Sequence, residues 1–471
     1  MATLTERLSG ALARETPGWG LRPVPDGMRR FGARELAVLW GDLSIGLLVL
    51  VSGALLVPAL GLAQAAAAIA TGSALGCLPL ALMAYAGARE GVPGMVLFRP
   101  LLGLRGSWLP SAMNLVQLVG WTAFEFWAMS RIAGTVTRDL IGVDAPGLWL
   151  VAVAVLCTGL ALAGPVFLVR RWLERFGIWV VVAVAVWITV RIAARGDLAA
   201  MWSSPGDGGL PFWLAVDLVI AMPVSWLPLV ADYNRFARRP RTSAIATFAS
   251  YAVGNVWFYL LGALLVAAAG SGPDVLDIGT TIAAAAGGAT VLVALVVGES
   301  DQATANIYSA ALSVRNVVPG LRQRAAVVVI GATGAVIAAA LREDAVPTFQ
   351  FFLYLVGSLF VPLVAVFAAD YLLRARGRYG EAALFEGAAP GVRWRALVPW
   401  IAGFVAFHWC VPTGPAWWSG AVEHVLHGWA RLPFPLFGGE LGASAPAFVV
   451  AFVLALALLP RAQPSASGSS G

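Results

Sequence analysis

Long apolar segments dominate this chain, and polar residues are confined to the connections between them and to a few positions inside them. Leu43–Leu60, Trp179–Ile192 and Ala445–Leu459 carry few or no charges, and with their flanks they approach the roughly 20 residues that a helix needs to cross a bilayer. These segments are continuous runs of Ala, Leu, Val and Gly, without the alternation of a membrane β-strand. The pattern predicts an all-α integral membrane protein.

Twelve such segments follow one another along the chain. We predict transmembrane helices over residues 33–60, 63–86, 108–134, 147–169, 176–194, 211–231, 243–269, 281–312, 325–341, 349–373, 395–412 and 443–460. Residues 1–32 lack an apolar stretch and are predicted to be a cytoplasmic tail. Residues 33–373 form the predicted core, residues 374–460 hold helices 11 and 12, and the low-complexity residues 461–471 are predicted to be disordered.

The positive charges are distributed unevenly over the connections. The chain has no lysine, and its positive side chains are 31 arginines. If the N-terminus lies in the cytoplasm, 25 of the 31 fall in the tail and the inner connections. This excess predicts cytoplasmic termini in a bacterial inner membrane, because inner loops are enriched in Arg. The net charge of +6 then faces the lipid surface, so the bilayer and not nucleic acid is the predicted partner.

Composition excludes several other classes of protein. Apolar residues make up 59% of the chain and charged residues only 12%, which no water-soluble fold requires. The three cysteines, Cys77, Cys157 and Cys410, lie inside apolar segments and are interpreted as buried thiols. We predict no cofactor, no metal other than a coupling ion and no obligate protein partner. Neither an HExxH nor a GxSxG motif is present, so no enzyme is predicted.

Two of the predicted helices are interrupted in the middle. The first contains four small or polar residues within an apolar run: Gly41, Asp42, Ser44 and Gly46. In the sixth, two prolines bracket a Ser-Trp pair: Pro223, Ser225, Trp226 and Pro228. Either interruption alone could be a simple kink. Their matched placement five helices apart instead favours a transporter built from two inverted repeats, residues 33–194 and 211–373, with its site at the interruptions.

Two further helices carry polar residues that are costly at bilayer depth. The third has four at spacings of three and four, and therefore on one helical face: Asn114, Gln117, Trp121 and Glu125. The eighth follows an apolar lead with a polar stretch that contains Glu299, Ser300, Asp301, Thr304 and Asn306. Each set either recognises a ligand or forms a hydrogen-bonded seam between helices.

The third-helix face suits a flat, uncharged solute with hydrogen-bonding edges. An indole such as Trp121 or Trp226 offers a stacking surface, while Glu125 and Asn306 can address the edges of a ring. Aminopyrimidines fit this description. A channel would equilibrate such a solute, whereas the pair of broken helices favours a symporter that concentrates it. An amino-acid carrier of the same fold remains the alternative.

Three stretches resemble a known family: Gly87–Glu125, Ala215–Arg238 and Glu299–Asn316. The resemblance is to the purine-cytosine permeases, the nucleobase:cation symporters, and runs from about Phe31 to Tyr371. The opening ALWGDLSIGLLVLVSGALLVP and the ESDxATANIYS signature look most like the CytX group, hydroxymethylpyrimidine transporters associated with salvage of a thiamine precursor. Cytosine permeases are near neighbours. The resemblance implies a LeuT-like 5+5 inverted repeat plus two C-terminal helices, alternating access, and coupling to Na+ or H+.

The same resemblance implies a substrate site. In the related bacterial hydantoin transporter, a Trp on the third helix stacks on the ligand and a polar residue four positions later binds it. A Trp on the sixth helix covers the other face, with the backbone of the residue before it alongside, and an Asn on the eighth contacts the ligand. Together with Gln117 on the third-helix face, the predicted substrate site is Gln117, Trp121, Glu125, Ser225, Trp226 and Asn306.

A cation site is implied as well, and here the chain departs from the family. The family uses backbone carbonyls at the first-helix break and two adjacent hydroxyl residues on the eighth helix, which correspond to Ser300 and Asp301. A carboxylate at Asp301 could bind sodium or carry a proton. Asp42 either contacts the cation or caps the half-helix after it. The predicted cation site is Asp42, Ile45, Ser300 and Asp301, with the coupling ion left open. Asp217 and the Asp232–Arg235 pair are expected to stabilise inner-gate contacts.

Overall fold

The computed structural model describes residues 20–143, 145–164, 178–195, 197–269, 289–341, 346–385 and 391–459. The longer helices and the two halves of the broken ones are α1 (Ala33–Asp42), α2 (Leu47–Ala54), α3 (Leu62–Glu90), α4 (Trp108–Ile141), α5 (Pro146–Ala163), α6 (Ile178–Arg195), α7 (Phe212–Ser225), α8 (Val230–Asn234), α9 (Pro240–Ala269), α10 (Ala289–Val317), α11 (Gln323–Ala340), α12 (Val346–Ala368), α13 (Trp394–Cys410) and α14 (Ser444–Leu458). The shorter helical pieces are Asp26–Met28, Gly94–Leu97, Arg99–Leu102, Leu198–Ser203, Ala369–Arg374, Glu381–Phe385, Ala416–Glu423, His424–Trp429 and Leu436–Gly439.

A helix lies on each of the twelve predicted segments, and the all-helical prediction is confirmed. Among the described residues, six helices are long and apolar enough to cross a membrane, or seven if the bent pair α1–α2 counts as one span. Two shorter apolar helices, Ile178–Ala194 and Ser444–Leu458, follow the same pattern. The number of twelve crossings stays a prediction. Residues 165–169, 176–177 and 281–288 of the fourth, fifth and eighth predicted helices lie outside the described residues, as do residues 1–19, residue 460 and the predicted disordered tail, 461–471.

Both predicted interruptions are present. The first span is divided between Asp42 and Leu47, and its two halves are bent by 54°. The sixth is divided between Ser225 and Val230, so the break begins after Ser225 and contains Trp226 and Pro228. Trp226 O accepts the hydrogen bonds of the Leu229 and Val230 amides, which leaves Ser225 O outside the helical ladder. Each break therefore opens backbone in the middle of a buried helix, where a ligand or a side chain can use it.

The broken helices pack against long neighbouring helices. Helix α4 packs against α10, and α3 packs against α7 and α9. Helix α9 also lies against α1 and α2, where it approaches α2 closely because both sides carry glycine: a Cβ on Gly53 would lie 2.0 Å from Tyr259 O. Helices α13 and α14 pack on each other and on α12.

The chain before the first helix is not a free tail over its described part. Val24 and Phe31 are buried, and Val24 N donates to Gly91 O over 2.9 Å. Phe31 N donates to Phe236 O, also over 2.9 Å, in an isolated parallel bridge beside Ala237. Residues 20–32 thus lie across the ends of α3 and α8.

Two aspartates of the sixth span form hydrogen bonds with different parts of the structure. Asp232 Oδ1 accepts the Gly94 amide over 2.9 Å, which ties α8 to the chain between α3 and α4. Asp217 instead accepts the amides of Ala443 and Ser444, over 2.5 and 3.1 Å, at the start of α14. Asp217 therefore caps the last helix, a contact that sequence analysis did not anticipate.

Candidate substrate and cation site

One face of α4 forms a wall of the candidate substrate site. Gln117, Trp121 and Glu125 follow each other at intervals of four residues, and at most 5% of each residue is exposed. This spacing brings an amide, an indole and a carboxyl to the same side of α4. Hydrogen bonds join this side to α7 and α10.

Glu125 is held by the eighth span. Asn306 Nδ2 donates to Glu125 Oε1 over 2.9 Å, so these two predicted residues meet directly between α4 and α10. Glu125 Oε2 is buried and has no hydrogen-bond partner among the described residues. Buried polar atoms are nearly always hydrogen-bonded in native proteins, so this oxygen is available to a ligand.

Gln117 contacts the sixth-span break. Its Nε2 donates to Ser225 O over 2.8 Å, the carbonyl that the break releases, and also to Asn114 Oδ1 over 2.8 Å. Gln117 Oε1 has no partner among the described residues. The third-helix face is therefore both a hydrogen-bonded seam and a source of unused acceptors.

The two predicted stacking residues are each supported by other rings. Trp121 lies edge-on to Phe352 and Phe349 of α12, with ring centroids 5.2 and 5.9 Å apart. Trp226 lies edge-on to Trp40 of α1, with centroids 6.0 Å apart. Trp121 Nε1 is a buried donor without a partner among the described residues. Fixed rings next to unused donors and acceptors suit a planar ligand with polar edges.

The break in the first span is faced by α10. Glu299 Oε1 accepts a hydrogen bond from Leu47 N, the first amide of α2. Gln302 Nε2 donates to Ile45 O over 3.4 Å. Asp42 is buried, neither of its carboxyl oxygens has a hydrogen-bond partner among the described residues, and it interacts electrostatically with Glu299.

Gly46 makes this approach possible. A Cβ at this position would lie 2.0 Å from Gln302 Nε2 and 2.5 Å from Glu299 Oε1. Any side chain here would push the ends of both α10 residues away from the break. Gly46, which the sequence predicts as part of the helix interruption, thus also leaves the space that the Gln302 and Glu299 side chains of α10 occupy.

The other two predicted cation residues have different surroundings. Ser300 Oγ donates to Val297 O over 2.6 Å, and Ser300 O accepts from Thr304 Oγ1 over 2.7 Å, both within α10. Asp301 is fully buried and interacts electrostatically with Cys157 of α5. Over the described part of the chain, no three His, Cys, Asp or Glu side chains are grouped as a metal ion would require. The cation roles of all four residues stay predictions.

Glu299 and Gln302 are not among the residues predicted for the site. Both lie in the polar stretch of the eighth span, but the family resemblance points to Ser300 and Asp301. A signal was available: Glu299, Gln302 and Asn306 are spaced by three and four residues, which puts them on one face of α10.

Comparison with known proteins identifies the family. A family described as permeases for cytosine/purines, uracil, thiamine and allantoin matches residues 23–429. This chain belongs to that permease family. The resemblance to purine-cytosine permeases is therefore confirmed, and the chain is a membrane transporter and not an enzyme.

Individual relatives are similar to this chain over most of their length. A Bacillus subtilis (strain 168) protein named after the purine-cytosine permeases, YxlA, is 26% identical over 400 residues, which are 80% of this chain and 84% of that protein. The cytosine permease of Escherichia coli (strain K12) is 26% identical over 352 residues, 73% of this chain and 78% of that permease.

A solved structure shares the fold. The nucleobase-cation-symport-1 family transporter Mhp1, in a closed conformation with bromovinylhydantoin bound, superposes with a TM-score of 0.77 at 19% identity. The match covers 94% of this permease and 95% of Mhp1. At this identity the likeness establishes the common fold alone.

Proposed function

We propose that this permease imports a 4-aminopyrimidine, either hydroxymethylpyrimidine or cytosine, by symport with a cation, Na+ or H+. It does so in a bacterial cytoplasmic membrane, with twelve transmembrane helices, both termini in the cytoplasm, and two inverted repeats over residues 33–194 and 211–373. The substrate lies between α4, α10 and the sixth-span break, against Gln117, Trp121, Glu125, Ser225, Trp226 and Asn306.

The observation that carries this proposal is the pairing of Glu125 with Asn306. It orients the carboxyl so that Oε1 is occupied by the amide, at 2.9 Å, while the buried Oε2 remains available. A 4-aminopyrimidine presents an amino donor beside a ring nitrogen acceptor. A carboxyl accepts from the amino group when ionised, and binds both positions when protonated. Gln117 Oε1 adds a second acceptor on the same helical face.

Another heterocycle remains the alternative. Mhp1, which shares the fold, carries a hydantoin, and a hydantoin also offers N–H donors on a planar ring. An amino-acid carrier of this fold is the more distant alternative. A competition panel of cytosine, hydroxymethylpyrimidine, purines, hydantoins, leucine and proline separates these substrates.

Uptake into proteoliposomes tests the proposal. We expect the parent to accumulate labelled cytosine or hydroxymethylpyrimidine above equilibrium when a sodium or proton gradient is imposed, which a channel does not do. Glu125→Ala and Asn306→Ala should reduce this uptake by about 100-fold, because each leaves a buried polar partner unpaired in the site.

The matched control is Glu381→Ala, which removes an exposed carboxyl from a short helix between α12 and α13. Its uptake should equal that of the parent. If correctly inserted Glu125→Ala and Asn306→Ala proteins take up both pyrimidines at the parent rate, the assigned pocket is wrong.

A further inference from the structure

An apolar groove lies on the outer surface of the first span, separate from the substrate site. It has a volume of about 680 Å³ and is formed by α1, α6 and α9. Helix α1 lines it with one residue per turn from its start to its break: Ala33, Ala37, Gly41 and Ile45. Sites that hold small ligands in proteins have volumes of about 300–1,000 Å³, so this groove is large enough for one.

The walls of this groove suit a hydrocarbon chain and not a polar solute. Most of the lining side chains are Ala, Ile or Val, and Ile245 and Val253 of α9 are each 69% exposed along it. Ser250 Oγ, which also lines the groove, donates to Ala246 O over 2.7 Å within its own helix. An acyl chain needs no hydrogen-bond partner, and these helices border the bilayer, so such a chain can fill the groove.

Helices α1 and α9 begin at the same end of the groove. Arg238 N, just before α9, donates to Phe31 O, just before α1, over 2.9 Å. About two turns into both helices, a Cβ on Gly41 would lie 3.7 Å from Ser250 Cβ. The two helices therefore run side by side in the same direction, and their starts form one mouth of the groove.

Four exposed arginines lie at this mouth: Arg34, Arg238, Arg239 and Arg241. Arg34 precedes Ala37 on α1 by three residues, and Arg241 precedes Ile245 on α9 by four, so each shares a helical face with a groove residue. Over the described part of the chain, none of the four arginines is in an ion pair. An apolar slot that ends in positive charge complements a lipid with an acyl chain and an anionic headgroup.

We propose that this groove is a binding site for one anionic phospholipid, with an acyl chain between α1, α6 and α9 and its phosphate at the four arginines. A zwitterionic phospholipid carries its own positive group and gains less from these arginines. A second copy of the permease is a poorer occupant, because a symmetric interface would bring the same arginines of both copies together. The bound chain lies against Gly41 and Ile45, and so supports the first-span break from outside.

Lipid binding to the purified full-length permease in detergent tests this inference. Phosphatidylglycerol and phosphatidylcholine with identical acyl chains are titrated separately, and binding is followed by native mass spectrometry and by thermal unfolding. We expect one phosphatidylglycerol to bind at least about tenfold more tightly than phosphatidylcholine and to raise the unfolding temperature. Each neutralised arginine should weaken phosphatidylglycerol binding by about fivefold, so the double variant Arg34→Gln/Arg241→Gln should lose about 25-fold and bind phosphatidylcholine as before.

Two pairs of variants separate the headgroup from the chain. Arg324→Gln/Arg395→Gln is the control for charge, because these exposed arginines lie near the starts of α11 and α13 and do not line the groove. It should keep the lipid preference of the parent. Ala249→Phe fills the groove and should weaken both lipids, whereas Ala332→Phe on the exposed side of α11 should weaken neither.

The inference is overturned if the parent binds both lipids equally, or if Arg34→Gln/Arg241→Gln keeps the preference for phosphatidylglycerol. It is also overturned if glycerol 1-phosphate, which has no acyl chain, stabilises the parent as strongly as phosphatidylglycerol. If Ala249→Phe leaves lipid binding unchanged, or instead converts a dimeric parent into a monomer, the groove does not hold the lipid. The surface arginine variants decide the question even if Ala249→Phe does not fold. None of these results depends on pyrimidine binding, so they are distinct from failure of the proposed function.

Discussion

The two helix breaks of this permease differ in chemistry, although they lie in corresponding helices of the two predicted repeats. The break between α1 and α2 is bent by 54° and has two buried carboxyls beside it, Asp42 at the end of α1 and Glu299 from α10. The break between α7 and α8 has no acidic residue between its halves. Its released carbonyl, Ser225 O, is bound by Gln117, and its Trp226 packs on Trp40.

This difference indicates that the two breaks have different roles. Buried charge at the first break suits a cation, whereas neutral hydrogen bonds and an indole at the second suit an uncharged ring. Helix α10 joins the first break to the α4 face, because Glu299 reaches the break and Asn306 donates to Glu125. Variants at one break should therefore change one ligand more than the other.

The largest effect is expected from Asp42→Asn at the first break. Loss of a buried charged contact costs about 2 kcal/mol or more, so the coupling cation should bind at least about 30-fold more weakly. Pyrimidine binding measured without sodium should change little. Sodium-dependent thermal stabilisation and pyrimidine titration in choline chloride check the two halves of this prediction. An equal loss of pyrimidine affinity in both salts would mean that the first break also binds the substrate.

A smaller effect is expected from Gln117→Leu at the second break. The substitution leaves Ser225 O and Asn114 Oδ1 without the donor they share, and removes an acceptor from the substrate face. Pyrimidine affinity should fall by about tenfold in sodium and in choline alike, since a buried group without its partner costs about 1–3 kcal/mol.

Gln64→Leu, on the exposed side of α3, is the matched control for that measurement and should bind as the parent does. A sodium-dependent loss in Gln117→Leu would contradict the division between the breaks, because among the described residues the hydrogen bonds of Gln117 reach the second break and not the first.

The smallest effect is expected from Gly46→Ala. A methyl group here displaces the flexible ends of Gln302 and Glu299 and not a backbone, so the sodium response should weaken by about fivefold without loss of the fold. Gly159→Ala in α5, where a Cβ meets nothing within 4 Å, is the control and should match the parent. A full sodium response in Gly46→Ala would show that the closeness of α10 to this break is not needed.

Much of the substrate site could be predicted from local sequence. Gln117, Trp121 and Glu125 share a helical face because their spacing matches the helical repeat, and this holds in any membrane helix. The prolines and glycines that mark the breaks also act locally, on the backbone of their own helix. The direct contact between Glu125 and Asn306, in contrast, was not predicted, since periodicity does not specify how two helices are aligned.

The predicted cation site shows what local sequence does not specify. Several acidic and hydroxyl groups in the first and eighth spans were evident, and the spacing of Glu299, Gln302 and Asn306 puts these three on one face of α10, but the sequence does not specify that this face meets the first break. This contact depends on the rotation of α10 about its axis and on the space left by Gly46. The amino-acid sequence by itself determined the apolar helices, their breaks and the polar faces, because each follows from the local cost of exposing polar groups to lipid. Only the tertiary structure decided which face meets which break, since that depends on the packing of residues more than 250 positions apart, such as Leu47 and Glu299.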